Sequence, residues 1–242
     1  MTREEFIIEC KSTFELNSLP CSDEQADSLF SLTDHMLEVN KSLNLTAIKE
    51  EKAVILKHYV DSLTVSKYIP VNSRMIDIGC GAGFPTLPLA IFRPDLAIYA
   101  LDGTAKRINY VSETAKMLGI SMVTAIAARA EELGNDPNFR ESFDIVTARA
   151  VASLPVLCEL CLPFVKVGGK MIAMKSQQAS DEISSAQNCI KLCGGEISEV
   201  ISCNLTSKNG DVDERNLIII KKVKKTPQLY PRHYSKISKK PL

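Results

Sequence analysis

MIDIGCGAGFP, residues 75–85, is the stretch that decides the fold of this 242-residue chain. Apolar residues flank Asp77 and run into three glycines at alternate positions, after which the chain can start a helix. This pattern predicts a buried strand that turns sharply into a helix. Glycine is needed at such a turn because it tolerates unusual backbone angles and lets a ligand approach the main chain closely. The stretch therefore predicts a nucleotide-like cofactor at the end of a parallel strand.

Only helices are predicted before this stretch, and strands alternate with helices after it. Amphipathic patterns predict helices at 4–16, 23–40 and 50–68, and Ser22 with Gln25 forms a capping box for the second. Short apolar runs predict strands at 74–79, 97–102, 121–126, 143–148, 169–174, 196–203 and 215–223. Further helices are expected at 85–93, 104–118, 128–133, 152–165 and 178–193.

This alternation indicates a parallel sheet with helices on both faces. Only the turn-rich segment 206–211 separates the last two strands, so they should form an antiparallel hairpin at one edge. The expected fold is α/β, a Rossmann-like seven-stranded sheet with an antiparallel terminal hairpin, and it resembles the class I S-adenosylmethionine-dependent methyltransferases. We expect an N-terminal helical extension (1–70), a methyltransferase domain (71–223) and a basic C-terminal tail (224–242).

The composition, with 45% hydrophobic and 24% charged residues, is ordinary for a globular protein. The sequence has no run of about 18 apolar residues, and its charged N-terminus lacks the apolar region of a signal peptide. We therefore expect no membrane contact, a cytoplasmic location and reduced cysteines. The pairs Cys158/Cys161 and Cys189/Cys193 raise a zinc site as an alternative. Both pairs lie in segments that read as helix, so we expect small core residues and no metal.

An acidic residue ends the second predicted strand. Asp102 lies 19 residues after Gly83, where its side chain can hold two ribose hydroxyls. A cap for the helix at 104–118 is the alternative role, and the two roles are compatible. Asp77 would be costly to bury unpaired, so we expect it to order the glycine loop or to meet the charged methionine end of a cofactor.

The spacing of the glycines distinguishes between two cofactors. A dinucleotide-binding turn reads Gly-x-Gly-x-x-Gly beneath a pyrophosphate. Here the third glycine comes one residue early, and Phe84 and Pro85 follow it. S-adenosylmethionine has no phosphate to bind, so it suits this turn better than NAD.

Other polar side chains follow the later strands. The segment 129–131, Arg-Ala-Glu, follows the third strand, Arg149 ends the fourth and Lys175 ends the fifth. Ligands of open α/β sheets bind outside the carboxyl ends of the strands, so these side chains should share one crevice. A surface ion pair is the alternative role for Glu131.

The charge is distributed unevenly along the chain. Residues 221–242 contain eight Lys or Arg and no Asp or Glu, although the formal net charge of the chain is zero. A cationic tail on an acidic body suggests contact with a polyanion, and a frayed, solvated terminus is the alternative. Nonspecific attraction of phosphate is expected for Lys221, Lys222, Lys224 and Lys225.

The chain resembles the RsmG (GidB) family in a series of short segments, which keep their order from about residue 40 to the C-terminus. They are NLTAI (44–48), HYVDSL (58–63), DIGCGAGFP (77–85), KRINYV (106–111), RAEEL (129–133), ARAV (148–151) and TPQLYPR (226–232). The resemblance implies methyl transfer from S-adenosylmethionine to N7 of guanine 527 in bacterial 16S ribosomal RNA. The implied substrate is this RNA or a small-subunit particle, with no obligate protein partner.

The resemblance adds Phe84, Ala130 and Arg149 to the expected contacts of the cofactor. The full set of expected cofactor-binding residues is Asp77, Gly79, Gly81, Gly83, Phe84, Asp102, Gly103, Ala130, Glu131 and Arg149. The expected RNA-binding residues are Arg107, Lys175, Tyr230, Arg232, Lys239 and Lys240. No catalytic residue is expected, because guanine N7 carries a lone pair and no proton. The chain departs from the family at Cys80, Thr86, Gly103 and residues 235–237.

Two other functions stay open at the level of sequence. One is a non-catalytic RNA-binding protein with a methyltransferase-like fold, which the intact glycine turn with Asp102, Glu131 and Arg149 disfavours. The other is an NAD-dependent oxidoreductase, which the glycine spacing and the terminal hairpin disfavour. His58 is expected to form an ordering or RNA-facing cluster with Asp61 and Ser62, or alternatively to lie on a helix surface.

Overall fold

The computed structural model describes residues 1–176 and 179–242. Its strands are β1 (Arg74–Ile78), β2 (Ala97–Asp102), β3 (Val123–Ala127), β4 (Phe143–Arg149), β5 (Val165–Lys175), β6 (Gly195–Thr206) and β7 (Val212–Lys222). Its α-helices are α1 (Arg3–Leu16), α2 (Asp23–Leu43), α3 (Glu51–Val54), α4 (Asp61–Leu63), α5 (Thr86–Phe92), α6 (Ala105–Met117), α7 (Ala130–Leu133), α8 (Leu154–Cys161), α9 (Ala179–Leu192) and α10 (Tyr234–Lys239). A π-helix spans Ile55–Val60, and 3₁₀-helices span Ser66–Tyr68 and Leu162–Phe164.

The strands form one sheet in the order β3-β2-β1-β4-β5-β7-β6. In the centre of the sheet, Asp77 of β1 pairs in parallel with Ala100 of β2 and Thr147 of β4. Strand β7 runs antiparallel to both β5 and β6. The predicted seven-stranded α/β fold with a terminal antiparallel hairpin is therefore confirmed. The strand order reverses at β1 and β4, and ligands of such sheets bind outside the carboxyl ends at this point.

Helices cover both faces of the sheet. Met75 and Ile76 are neighbours in β1 and point to opposite faces, because side chains alternate along a strand. Met75 is buried with residues of α1, α2, α5 and α6, whereas Ile76 is buried with residues of α8, α9 and α10. Both side chains are fully shielded from water. The carboxyl ends of the strands are thus held between two packed layers.

The N-terminal helices pack directly on the sheet layer. Ser22 and Gln25 form the predicted capping box, with the Gln25 backbone N–H donating to Ser22 Oγ at 3.2 Å. Phe14 of α1 stacks on Phe92 of α5 with their ring centroids 5.4 Å apart. The predicted extension therefore shares its hydrophobic core with the predicted methyltransferase domain.

The prediction of one continuous helix at 50–68 is wrong, because the segment is divided among several helical types. The segment consists of α3, the π-helix, α4 and the 3₁₀-helix at Ser66–Tyr68. A π-helix has a wider turn than an α-helix and is frequent at functional sites. Its occurrence here brings the backbone carbonyl of Lys57 and the side chains of His58 and Asp61 against Arg149 at the end of β4.

Other differences from the predicted elements concern their ends. Helix α8 stops at Cys161 and Pro163 lies in the following 3₁₀-helix, because proline cannot donate the backbone bond that a continuing α-helix needs. The predicted helix 178–193 corresponds to α9, and residue 178 lies outside the described residues. Cys158, Cys161 and Cys189 lie in helices as predicted, and all are free and buried. Within residues 1–176 and 179–242, no helix is long and apolar enough to cross a membrane.

Candidate active site

Gly79 of the glycine turn lines a cleft at the carboxyl ends of β1 and β2, whereas the predicted contacts Gly81 and Gly83 do not line it. Gly79, Gly81 and Gly83 have φ of +71°, +56° and +84°, angles that residues other than glycine rarely adopt. The backbone N–H of Gly79 donates to the carbonyl of Leu101 in β2 at 2.7 Å. A Cβ atom on Gly79 would lie 2.7 Å from Val151 Cγ2, so the turn is also tightly covered.

Asp102 joins the glycine turn to the next strand. One carboxylate oxygen accepts from the N–H of Gly81 at 3.1 Å, and the other accepts from the N–H of Thr104 at 2.8 Å. Asp102 is not the N-cap of α6, because that helix begins at Ala105 with Thr104 as its cap residue. Arg107 Nη1 lies 3.8 Å from the same carboxylate. Asp102 therefore presents a charged, pre-oriented acceptor to the cleft.

Asp77 lies beneath the turn and is fully buried. Its two carboxylate oxygens accept from Thr86 Oγ1 at 2.8 Å and from Thr147 Oγ1 at 3.0 Å. Burial raises the pKa of this carboxyl to about 6, and the two threonine hydroxyls oppose that rise. These hydrogen bonds thus connect β1 to β4 and to the start of α5. Its predicted contact with a cofactor stays a prediction.

The far end of the cleft is formed by the segment that follows β3. Ala130 and Glu131 line it, as does Gly103 after β2. Glu131 is buried, and its Oε1 lies 3.5 Å from Arg129 Nε. Glu131 therefore takes part in an ion pair and also lines the cleft. The volume of the cleft is about 220 Å³, below the roughly 300–1,000 Å³ typical of small-molecule sites.

Arg149 does not line this cleft but a second depression beside it. Its Nη1 donates to Asp61 Oδ2 at 2.8 Å and to the carbonyl of Lys57 at 3.1 Å. The two spaces adjoin at the end of β4, where Arg149 and Ala150 line the depression and Val151 lines the cleft. Phe84 stacks on His58 with centroids 4.4 Å apart, and the Arg149 guanidinium carbon lies 5.4 Å from the Phe84 centroid.

The second depression is lined by charged side chains from segments that are far apart in the sequence. Arg215 of β7 places its Nε 3.2 Å from Asp61 Oδ1, so Arg149 and Arg215 share one buried carboxylate. Lys175 also lines it and pairs with Glu182 at 2.6 Å. Sequence reasoning missed Arg215, because it comes from the antiparallel strand and not from the carboxyl end of a parallel one.

His58 is uncharged at neutral pH. Burial and the positive charge of Arg149 lower the pKa of its imidazole to about 4. His58 Nε2 lies 2.9 Å from Thr46 Oγ1, which fixes the ring against Phe84. Asp61 and Ser62 are buried as well. The alternative of a helix-surface role for this cluster is therefore wrong.

The C-terminal segment is packed on the body of the protein. Arg232 donates to both carboxylate oxygens of Glu159, at 2.8 and 2.6 Å, and Glu159 is fully buried in α8. Tyr230 and Ile237 are buried too. The alternative of a frayed terminus is wrong for this segment. The RNA contacts expected of Tyr230 and Arg232 stay predictions, and both residues have packing roles.

The remaining basic residues of this region fall into two groups. Lys222 is fully buried, where its Nζ donates to the carbonyl of Leu162 at 2.5 Å and to Thr226 Oγ1 at 2.6 Å. The expectation that Lys222 attracts phosphate is therefore wrong. Lys239 and Lys240 are exposed at the end of α10. Arg107, the other expected RNA contact, lines the cleft beside Asp102.

Comparison with known proteins shows the family to which this chain belongs. The family described as GidB, rRNA small subunit methyltransferase G, matches residues 25–229. A ribosomal RNA small subunit methyltransferase G of Acetivibrio thermocellus is 44% identical over 98% of this chain and 95% of its own length. One of Lactobacillus delbrueckii subsp. bulgaricus is 39% identical over 98% of this chain and 99% of its own length.

Solved structures support the fold alone. A precorrin-6y C5,15-methyltransferase of Geobacter metallireducens superposes with a TM-score of 0.51 at 19% identity, covering 74% of this chain and 90% of that one. TYW2 of M. jannaschii in complex with AdoMet superposes with a TM-score of 0.52 at 16% identity, covering 67% of this chain and 77% of that one. The chain belongs to the GidB family, and is an S-adenosylmethionine-dependent ribosomal RNA methyltransferase with the class I fold.

Proposed function

We propose that this enzyme methylates N7 of guanine 527 in 16S ribosomal RNA, free or in a small-subunit particle, in the cytoplasm. The observation that carries the proposal is that residues 149–151, at the end of β4, line two adjacent spaces. One is the cleft at Asp102, and the other is the depression at Arg149. The donor would lie in the cleft and the base in the depression, and they would meet at this segment, because methyl transfer needs the sulfonium methyl and guanine N7 in direct contact.

The residues of the cleft fit S-adenosylmethionine. The carboxylate of Asp102 can only accept hydrogen bonds when ionised, as two ribose hydroxyls require. The glycine turn brings bare backbone to the same cleft, and Ala130 keeps the floor beyond β3 small. When bound, the cofactor supplies an electrophilic methyl group on a sulfonium. Gly79, Gly103 and Glu131 line the cleft and complete the proposed contacts there. Gly81, Gly83 and Phe84 are proposed contacts that do not line it, and Asp77 holds the turn in shape.

The depression suits a base that needs no deprotonation. N7 of guanine has an in-plane lone pair, so the side chains around it have to hold and orient the ring rather than take a proton. His58, whose ring stacks on the buried Phe84, lines the depression, and Arg149 and Arg215 provide donors there. The guanine becomes positively charged as the methyl group is transferred. A neutral His58 avoids adding a further positive charge beside it.

The expected RNA contacts surround this site. Arg107 and Lys175 lie at the two spaces, and Lys239 and Lys240 lie on the exposed end of the C-terminal segment. Lysine contacts to phosphate supply affinity without sequence specificity. The base itself would be read in the depression, since specific RNA recognition generally uses unpaired bases.

The cofactor is tested by calorimetry with S-adenosylmethionine and, separately, with NAD. We expect binding of S-adenosylmethionine alone, and transfer of a labelled methyl group to 16S ribosomal RNA. Asp102→Ala should abolish detectable binding, because it removes both the ribose acceptor and the bonds that hold Gly81 and Thr104. The matched control is Asp211→Ala, an exposed carboxylate in the β6–β7 turn. Binding of NAD alone would overturn the proposal.

A further inference from the structure

The C-terminal segment reaches the cofactor cleft as well as the protein surface. Tyr234, the first residue of α10, lines the cleft together with Arg129 and Gly103. Among the described residues that line this cleft, Tyr234 carries the aromatic ring, and the others are aliphatic, charged or small. The ring contacts Arg129, in the segment that follows β3.

The position of the Tyr234 ring is fixed by contacts on several sides. The guanidinium carbon of Arg129 lies 5.0 Å from the ring centroid, a cation–π contact. Arg129 itself is held 3.5 Å from Glu131 and passes over Gly103. A Cβ atom on Gly103 would lie 3.1 Å from the Cδ and Nη1 atoms of Arg129, so the glycine leaves room for this arrangement.

The backbone that carries Tyr234 is anchored on both sides. Two residues earlier, Arg232 forms its paired bonds with the buried Glu159. Three residues later, the side chain of Ile237 is fully buried in the core beneath α8. The ring is therefore held at the cleft by the fold of the C-terminal segment.

We infer that Tyr234 forms the aromatic wall against the adenine ring of the cofactor, so that the C-terminal segment is part of the cofactor site. The inference rests on the proposed function, in which S-adenosylmethionine occupies this cleft. A flat purine gains most from an aromatic face, and stacking of a base on a side-chain ring stabilises binding. Replacement of the ring should therefore weaken binding of any ligand that contains adenosine.

The test compares Tyr234→Ala and Tyr234→Phe with the unchanged protein in calorimetric titrations. The ligands are S-adenosylmethionine and 5′-methylthioadenosine, which keeps the adenosine and lacks the amino-acid end. We expect Tyr234→Ala to raise the Kd of both ligands roughly tenfold, and Tyr234→Phe to stay within about twofold of the unchanged protein. Tyr68→Ala is the matched control, because Tyr68 also carries a cation at 5.1 Å but lines a different depression.

Hydrogen exchange of the unchanged protein provides a second measurement that needs no variant. S-adenosylmethionine should slow the exchange of the amides of residues 234–239. Equal affinity of Tyr234→Ala and the unchanged protein, or unaltered exchange in α10 at saturation, would overturn the inference. Failure of the unchanged protein to bind S-adenosylmethionine would instead overturn the proposed function, so the two failures are distinguishable.

Discussion

A single buried carboxylate links the glycine turn to the centre of the sheet. Asp77 accepts from Thr86 and Thr147, and these bonds reach α5 on one side and β4 on the other. The Thr86 hydroxyl satisfies one oxygen of Asp77. A buried charge with two hydroxyl partners is still less well solvated than in water, and this is why its pKa rises.

Asp77→Asn should change how stability depends on pH. The folded-state pKa is raised to about 6 from an ordinary 3.8, so the unchanged protein is stabilised by this group below pH 3.8 and loses that stabilisation as the pH rises through 6. The difference in free energy of unfolding between the two proteins should shift against the unchanged protein by about 3 kcal/mol from pH 3.5 to 7. Urea unfolding at several pH values measures this difference.

Asp95→Asn is the matched control for the pH series. Arg93 lowers the pKa of Asp95 to about 2, so this group stabilises the fold above its ordinary value and loses that stabilisation as the pH falls towards 2. The control should therefore show the opposite sign, at lower pH. A constant difference between Asp77→Asn and the unchanged protein across the range would contradict the raised pKa.

At the scale of elements, one carboxylate joins three segments that are far apart in sequence. Asp61 follows the π-helix, Arg149 ends β4 and Arg215 lies in β7. Both arginines are bound to Asp61, whose side chain is only 8% exposed. Removing the shared charge leaves two partly buried cations without their partner, which is the costly way to break such a cluster.

Asp61→Asn should lower the free energy of unfolding by on the order of 2 kcal/mol, less than for a fully buried pair because the arginines reach solvent. Glu38→Gln is the matched control, since this carboxylate pairs with Lys41 outside the cluster and its side chain is 70% exposed. The control should change stability by less than about 0.5 kcal/mol. Denaturant unfolding checks both values, and equal effects would contradict the role assigned to Asp61.

Elements with a strong local pattern could be predicted from the sequence, and those defined by tertiary contacts could not. The strands β1, β2 and β4 are apolar runs bounded by polar residues, so their predicted ends lie within one residue of the observed ones. The π-helix at Ile55–Val60 carries the same apolar spacing as an ordinary helix. Arg149 contacts the carbonyl of Lys57 and the ring of His58 within this π-helix. These contacts form only in the folded chain, so the local sequence could not reveal them.

At the scale of the whole molecule, the basic C-terminal segment combines packing with exposed charge. Lys222 and Arg232 are bound to protein partners, whereas Lys239 and Lys240 are exposed. Replacing both Lys239 and Lys240 by Ala should weaken binding to 16S ribosomal RNA severalfold at low salt, while the affinity for S-adenosylmethionine stays unchanged. Arg232→Ala is a poor test of RNA contact, because it leaves the buried carboxylate of Glu159 without its ion-pair partner.

Filter binding over a range of salt concentrations measures this prediction. Loss of the two lysines should also flatten the dependence of affinity on salt, since fewer phosphates are neutralised. Lys11→Ala, in an exposed ion pair with Asp23 on the N-terminal helices, is the control. Equal loss of RNA and cofactor affinity in the double variant would contradict a role for this end of the chain in RNA binding.

Much of the candidate site follows from rules about the ends of parallel strands. The sequence predicts both Asp102, which ends such a strand, and Glu131, which follows one, and both line the cleft. Arg215 and Tyr234 come from an antiparallel strand and from the C-terminal segment, where no such rule applies. Their position depends on how distant segments pack, and charge alone could not separate the buried Lys222 from the exposed Lys240.

The central claim is that the enzyme places a methyl group on one defined nitrogen of one guanine. The most direct measurement incubates the protein and S-adenosylmethionine with 16S ribosomal RNA and with small-subunit particles from cells that lack this modification. Nuclease digestion and mass spectrometry then locate the methyl group. We predict a single 7-methylguanosine at position 527. A methyl group at another position, or none despite measured binding of the cofactor, would contradict the account.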